Sequence, residues 1–125
     1  MDVLEHVTPA ELLATLDGAL RILRPGGCCL AHLPNAEGLF GMRIRYGDFT
    51  HEQAFTARSS TQVFRAAGFA AVQCFEDRPV VHGPVSLARR ALWTLGMLPY
   101  RLLLAAETGE TQFILSQTLL VKATK

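Results

Sequence analysis

Apolar residues at Leu12, Leu13, Leu16, Leu20 and Leu23 recur at helical steps, and this spacing predicts an amphipathic helix. Thr8 is placed as its N-cap, Pro9 takes the first helical position and Glu11 falls three residues after the cap, as in a capping box. The helix ends before Pro25. Arg24-Pro25-Gly26-Gly27 suits a type II turn, with Pro25 presetting φ and Gly26 supplying a positive φ. Cys28 to Leu33 is an apolar run without alternation, which predicts a strand buried on both faces, as in a parallel sheet. Pro34-Asn35 stops it. Ahead of the helix, Asp2-Val3-Leu4-Glu5-His6 reads as a strand emptying into a loop, the end of an open α/β sheet where ligands bind.

Residues 36–58 show little regular period, so a long loop with short helical turns is expected there, and loops of this length are often functional. Ser59, followed three residues later by Gln62, reads as the cap of a second helix with Val63, Phe64 and Ala67 facing inward and Gly68 ending it. Phe69 to Phe75 reads as a strand. Pro84 to Ala106 is rich in Leu and Ala, and its arginines, Gly96 and Pro99 interrupt it short of the ~20 apolar residues of a membrane span. Two short helices broken at Gly96 or Pro99 are expected, forming a helical insertion over 84–106. Packing on the domain, an interfacial membrane helix and a dimer surface all remain open for it. Thr108-Gly109-Glu110 reads as a turn, and Phe113 to Ala123 as a last, β-branched strand.

The chain has 125 residues, half of them hydrophobic, and a net charge of +1, which fits one globular domain spanning 1–125. The balanced charge gives no case for nucleic-acid binding. Cys28 and Cys29 are adjacent and point to opposite faces of a strand, so they make a poor disulfide; with Cys74 they are expected as reduced core residues of a cytoplasmic protein. Residues 1–20 carry acids and a helical pattern instead of a signal peptide's basic and then apolar segment.

The ordered set Asp-Val-Leu-Glu-His, amphipathic helix, Leu-Arg-Pro-Gly-Gly, apolar strand and Pro-Asn resembles the second half of a class I S-adenosylmethionine (SAM)-dependent methyltransferase. Asp48-Phe49-Thr50-His51-Glu52 with Phe55-Thr56, and Ala67-Gly68-Phe69, add to the likeness. The branch resembled includes quinone-biosynthesis O-methyltransferases and methyltransferases of polysaccharide pathways. This implies a partial Rossmann-like α/β fold holding strands five, six and seven, the last antiparallel between the other two. The family's glycine-rich loop after strand one has no counterpart here, since Gly26-Gly27 precedes a strand. The chain is therefore expected to be a fragment, with Met1 internal or a miscalled start, or one half of a two-chain assembly such as a homodimer. It is expected to be inactive alone.

The resemblance implies SAM as methyl donor and a small-molecule or glycan acceptor, methylated at a hydroxyl. It places Met1, Asp2, Glu5 and His6 along the cofactor pocket. Two readings of Asp2, Glu5 and His6 stand: bracing of the loop beside the cofactor, or, with His51, binding of a divalent cation, Mg²⁺ or Mn²⁺, that gathers the acceptor hydroxyls. His51, with Asp48 nearby, is the candidate base for a hydroxyl acceptor, against a reading in which Asp48 and Thr50 form a capped turn that His51 merely braces. Arg43, Arg45 and Tyr46 read as an anion site or as a solvated basic face, and His32 as a satisfied core histidine. Two other functions compete: a non-catalytic half-domain that pairs with a partner chain or membrane surface through strand five and the 84–106 helices, and a metal-dependent hydrolase built on Asp2, Glu5, His6, His32 and His51.

Overall fold

The computed structural model describes residues 2–125. A single 3-10 turn over Leu4–His6 leads into α1 (Pro9–Ile22), then β1 (Cys28–Pro34), α2 (Gly41–Arg45), α3 (Ala57–Ala66), β2 (Ala71–Glu76), α4 (Pro84–Thr108) and β3 (Thr118–Thr124). The strands form one sheet in the order β1-β3-β2, and β3 runs antiparallel to both neighbours. This is the expected arrangement, with the last strand inserted between the other two.

The core lies on one face of the sheet. Ala31, Leu33, Leu119, Val121 and Ala123 point into it and meet Leu12 and Leu16 of α1 and Phe64 of α3. Phe64 meets Phe69 edge-on at 5.3 Å between ring centres. The opposite face is open: Cys28, Leu30, Gln73, Phe75 and Lys122 are exposed there. The expectation that β1 is buried on both faces therefore holds for one face only, because α1 and α3 cover the same side. For the same reason Cys28 is exposed rather than a core residue, while Cys29 and Cys74 are half-buried thiols that burial pushes up in pKa.

Local signals explain most boundaries. Arg24 to Gly27 forms the expected turn, with the Gly27 amide donating to the Arg24 carbonyl at 2.8 Å and Gly26 at φ +73°. Pro9 opens α1, but the Thr8 hydroxyl donates to the Glu11 carboxylate at 2.6 Å instead of accepting from the backbone, so the capping box is not made there. It is made at α3, around Thr56 and Ser59. Thr56 is the N-cap and Ser59 the third helical residue, so the helix starts three residues earlier than Ser59 suggested. Gly68 ends it with φ +99°. α4 is one helix through Gly96 and Pro99, not two. β3 begins at Thr118; residues 113–117, expected as strand, are held irregular by Asn35.

Asn35 is fully buried. Its side-chain amide donates to the carbonyls of Ile114 (2.7 Å) and Ser116 (2.8 Å), and its oxygen accepts from the Glu37 amide at 3.1 Å. A parallel bridge joins Asn35 to Phe55, and the loop packs so tightly that a Cβ on Gly41 would fall 1.6 Å from the Asn35 carbonyl oxygen. Replacing Asn35 by Ala leaves two carbonyls and an amide without these partners. N35A is expected to destabilise the fold by about 2–4 kcal/mol, read as a lower urea midpoint with an unchanged slope; a midpoint shift near zero would contradict this role.

Candidate functional site

The 3-10 turn and the loop after α2 are joined by backbone bonds. The Glu5 carbonyl accepts from the amides of Glu52 (2.7 Å) and Gln53 (3.3 Å), and the Gln53 side chain donates to the Val7 carbonyl at 2.9 Å. These bonds bring residues 5–6 against residues 48–51. Glu5, His6 and His51 converge there, each offering a ligand-type atom within 4.8 Å of the others. The two histidine rings meet edge-on at 4.6 Å.

Hydrogen bonding fixes which nitrogen each ring presents. His51 Nδ1 lies 3.0 Å from the Ile44 carbonyl, which only accepts, so Nδ1 carries the proton. Thr50 gives its single hydroxyl proton to Asp48 Oδ1 at 2.7 Å, so the 2.8 Å contact between His6 Nδ1 and Thr50 Oγ1 is a donation from the ring. Both neutral rings therefore keep the lone pair on Nε2. Glu5 is buried, and its Oε2 has no hydrogen-bond partner among the described residues. An unpartnered buried carboxylate oxygen beside two histidines with free Nε2 atoms suits a proton-accepting or cation-holding site.

Asp48 does not reach the His51 ring. Its carboxylate accepts from the Thr50 amide (2.9 Å) as well as the Thr50 hydroxyl, which makes the capped turn, and it connects to His6 through Thr50. The Thr50 hydroxyl, followed by the Thr50 amide, holds the Asp48 carboxyl below its ordinary value of 3.8. Thr50 is the site residue that sequence reasoning left in a turn; its place between an acid and a histidine depends on a contact across 44 residues.

Asp2 lies elsewhere. Its carboxylate is 3.0 Å from His32 Nδ1, and Asp77 Oδ2 is 3.2 Å from His32 Nε2. Thr118 also donates to Asp77, at 3.0 Å. His32 is thus a satisfied histidine, as expected, but it sits half-exposed on the open face instead of in the core. The expectation for Met1 lies outside the described residues. Arg45 donates to the Glu52 carbonyl at 2.8 Å and stacks over Tyr46 at 5.0 Å, so it braces the loop from outside.

A larger cleft of about 870 Å³ lies between β2, the second half of α4 and residues 110–115, and it shares no residue with the histidine cluster. Its buried Glu76 is fully paired, with Arg101 at 2.5 Å, the Leu115 amide at 2.9 Å and Arg78 at 2.8 Å. Size alone does not make it the stronger site, because its buried acid is already neutralised.

No protein-family model and no curated protein matches the chain. Solved structures do. A SAM-dependent methyltransferase from Archaeoglobus fulgidus aligns with 99% of this chain and 56% of its own length, at TM-score 0.62 and 15% identity. A SAM-dependent methyltransferase from Thermotoga maritima, named as a possible histamine N-methyltransferase, aligns with 91% of this chain and 49% of its own, at TM-score 0.55 and 15% identity. The chain spans about half the length of these structures and has their fold, a partial α/β methyltransferase fold.

The Asp48 turn carries a pH dependence. Its carboxyl is lowered in the native state, so its contribution to stability is present above the ordinary value of 3.8 and fades as pH falls through the native value. Thr50→Val is expected to move the Asp48 carboxyl upward, read from carboxyl carbon shifts in an NMR titration; an unmoved titration would remove Thr50 as the cause.

Proposed function

We propose that the chain forms the acceptor-facing part of a SAM-dependent methyltransferase acting on a hydroxyl of a small molecule or glycan, of the kind found in quinone and polysaccharide pathways. The observation that carries this is the Glu5–His6–His51 convergence within a fold shared with SAM-dependent methyltransferases. SAM supplies the methyl group when bound. With SAM bound, the acceptor proton released on methylation would go to His51 Nε2. The Ile44 carbonyl keeps the other His51 nitrogen protonated and the ring oriented for this. Glu5 and His6 form the adjoining wall.

The chain contains no glycine-rich loop following a strand. We therefore expect the purified chain alone to neither bind S-adenosylhomocysteine at micromolar concentration in calorimetry nor transfer a radiolabelled methyl group. Supplied with a glycine-rich half, it is expected to methylate a hydroxyl acceptor, and His51→Ala to lower kcat by about 10²–10⁴-fold with little change in KM for SAM. Turnover by the chain alone would overturn its dependence on a second half. Full activity of H51A would overturn the base assignment.

A second reading is favoured by the unpartnered Glu5 Oε2: the same three residues hold a divalent cation that orients acceptor oxygens. With Asp2 taken by His32, the donor set is one carboxylate and two imidazoles. That set suits Mn²⁺ or another first-row ion better than Mg²⁺, which takes oxygen ligands. The free-Mn²⁺ signal in electron paramagnetic resonance is expected to fall on adding the chain and to stay with Glu5→Gln. No loss of signal with the unsubstituted chain would leave the base reading alone.

A further inference from the structure

A cleft of about 450 Å³ lies between α4 and the segments that follow β1 and β2. Phe40 lines it from the loop after β1, Asp77 from the segment after β2, and Arg89 and Trp93 from α4. In open α/β sheets ligands bind beyond the carboxyl ends of the strands, and small-molecule pockets measure ~300–1,000 Å³. The cleft contains none of Glu5, His6 and His51. Its walls are held by the fold. The Asp77 amide donates to the buried Ser116 hydroxyl at 3.0 Å, and that hydroxyl donates to the Thr118 carbonyl at 2.6 Å. Arg90 donates to the Pro79 carbonyl at 3.1 Å, which fixes the first half of α4 against the segment after β2. Arg89 and Trp93 stand four residues apart, so they share one face of that helix.

Three side chains of this lining are not used by the fold. Phe40 is 57% exposed and Trp93 is only partly covered. Arg89 is exposed and makes no ion pair or hydrogen bond among the described residues, whereas Arg78 of the same cleft gives its Nε to Glu76 at 2.8 Å. Asp77, the acid of the cleft, is met from the body: its Oδ2 lies 3.2 Å from His32 Nε2 and accepts from Thr118 at 3.0 Å. The uncommitted charge is therefore the Arg89 guanidinium, and it stands in a cleft lined by two aromatic side chains. We propose that this cleft binds a small aromatic carboxylate, with its ring against Phe40 and Trp93 and its carboxylate on Arg89. A guanidinium meets a carboxylate with two parallel N–H donors, and aromatic side chains take a flat ring offset or edge-on. An aliphatic acid leaves the rings uncovered, and an uncharged arene leaves the guanidinium unpaired. The inference is independent of methyl transfer, since neither SAM nor the histidine cluster takes part in this binding.

Trp93 is the one tryptophan of the chain, so its indole N–H gives a single resonance that reports on the cleft. The test is an NMR titration of the chain with benzoate, acetate and benzyl alcohol. Saturable movement of the indole resonance is expected with benzoate at millimolar concentration, and binding about tenfold weaker with acetate or benzyl alcohol. Arg89→Gln is expected to weaken benzoate about tenfold, and Phe40→Ala several-fold. Both side chains are exposed, and the dispersion of the amide spectrum checks that each variant is folded. No saturable movement with benzoate overturns the proposal, as does unchanged binding by either folded variant. So does acetate or benzyl alcohol binding as well as benzoate, since acetate alone would then mark an adventitious ion on a surface arginine and benzyl alcohol alone a site with no use for the charge.

Discussion

The buried amide of Asn35 is the constraint on which the rest of the molecule rests. It ends β1, and it receives or gives bonds to residues 37, 114 and 116. Its own backbone amide donates to the Gln117 carbonyl at 3.0 Å. Both amide protons are thus spent on carbonyls that would otherwise be buried without a donor. The consequence is geometric. The chain leaving β1 and the chain entering β3 are locked together, which fixes where the 36–55 loop departs and, through the Asn35–Phe55 bridge, where it returns. A comparable tie acts at the other end of the sheet, where Lys125 Nζ donates to the Leu20 and Leu23 carbonyls at 2.8 Å each and so caps α1 from the last residue of the chain.

Between those ties the candidate site assembles from two short segments with little regular structure. Neither Glu5-His6 nor Asp48-Phe49-Thr50-His51 makes a site alone. The Glu5 carbonyl holds the second segment by its backbone, and the histidines add only their Nδ1 atoms to the docking, which leaves both Nε2 atoms for chemistry. The carbonyls of Ile44 and Thr50 then do for the histidines what a side-chain partner does elsewhere: they fix the tautomer without adding charge. Among the described residues this leaves Glu5 as the sole carboxylate in the cluster, a different balance from the four-ligand set expected with Asp2.

Much of this was legible along the chain because it rests on local chemistry. The turn at Pro25-Gly26, the stop at Gly68 and the inward face of Val63 and Phe64 are written in neighbouring residues, whereas Glu5, His6 and His51 stood together as candidates only through the family resemblance. What escaped depends on distant partners. Ser59 looks like an N-cap, but Thr56 three residues earlier completes a reciprocal box with it. Residues 113–117 have the composition of a strand, but Asn35 claims their carbonyls. Gly96 and Pro99 look like breaks, but neither ends α4, whose inner face is anchored on both sides of them by Arg90 and Arg101. Asp2 looks like a ligand with Glu5, and a histidine 30 positions away takes it.

That histidine shows what the antiparallel last strand contributes. In an open parallel sheet every strand ends on the ligand side, and loops alone furnish the site. Here β3 runs backwards between β1 and β2, so its first residues, not its last, lie among the ends of its neighbours. Thr118, the start of β3, faces Pro34 of β1 and donates to Asp77, which follows β2. Asp77 meets His32 near the end of β1, and Asp2 meets the same ring from the entering chain. Four segments are therefore drawn together by one reversed strand. The resulting cluster of acids around His32 lies on the open sheet face, and Asp77 also lines a smaller cleft with Phe40, Arg89 and Trp93. The antiparallel strand thus does more than complete the sheet: it ties the end of β1 to Asp77, at the start of the segment that leads from β2 into α4.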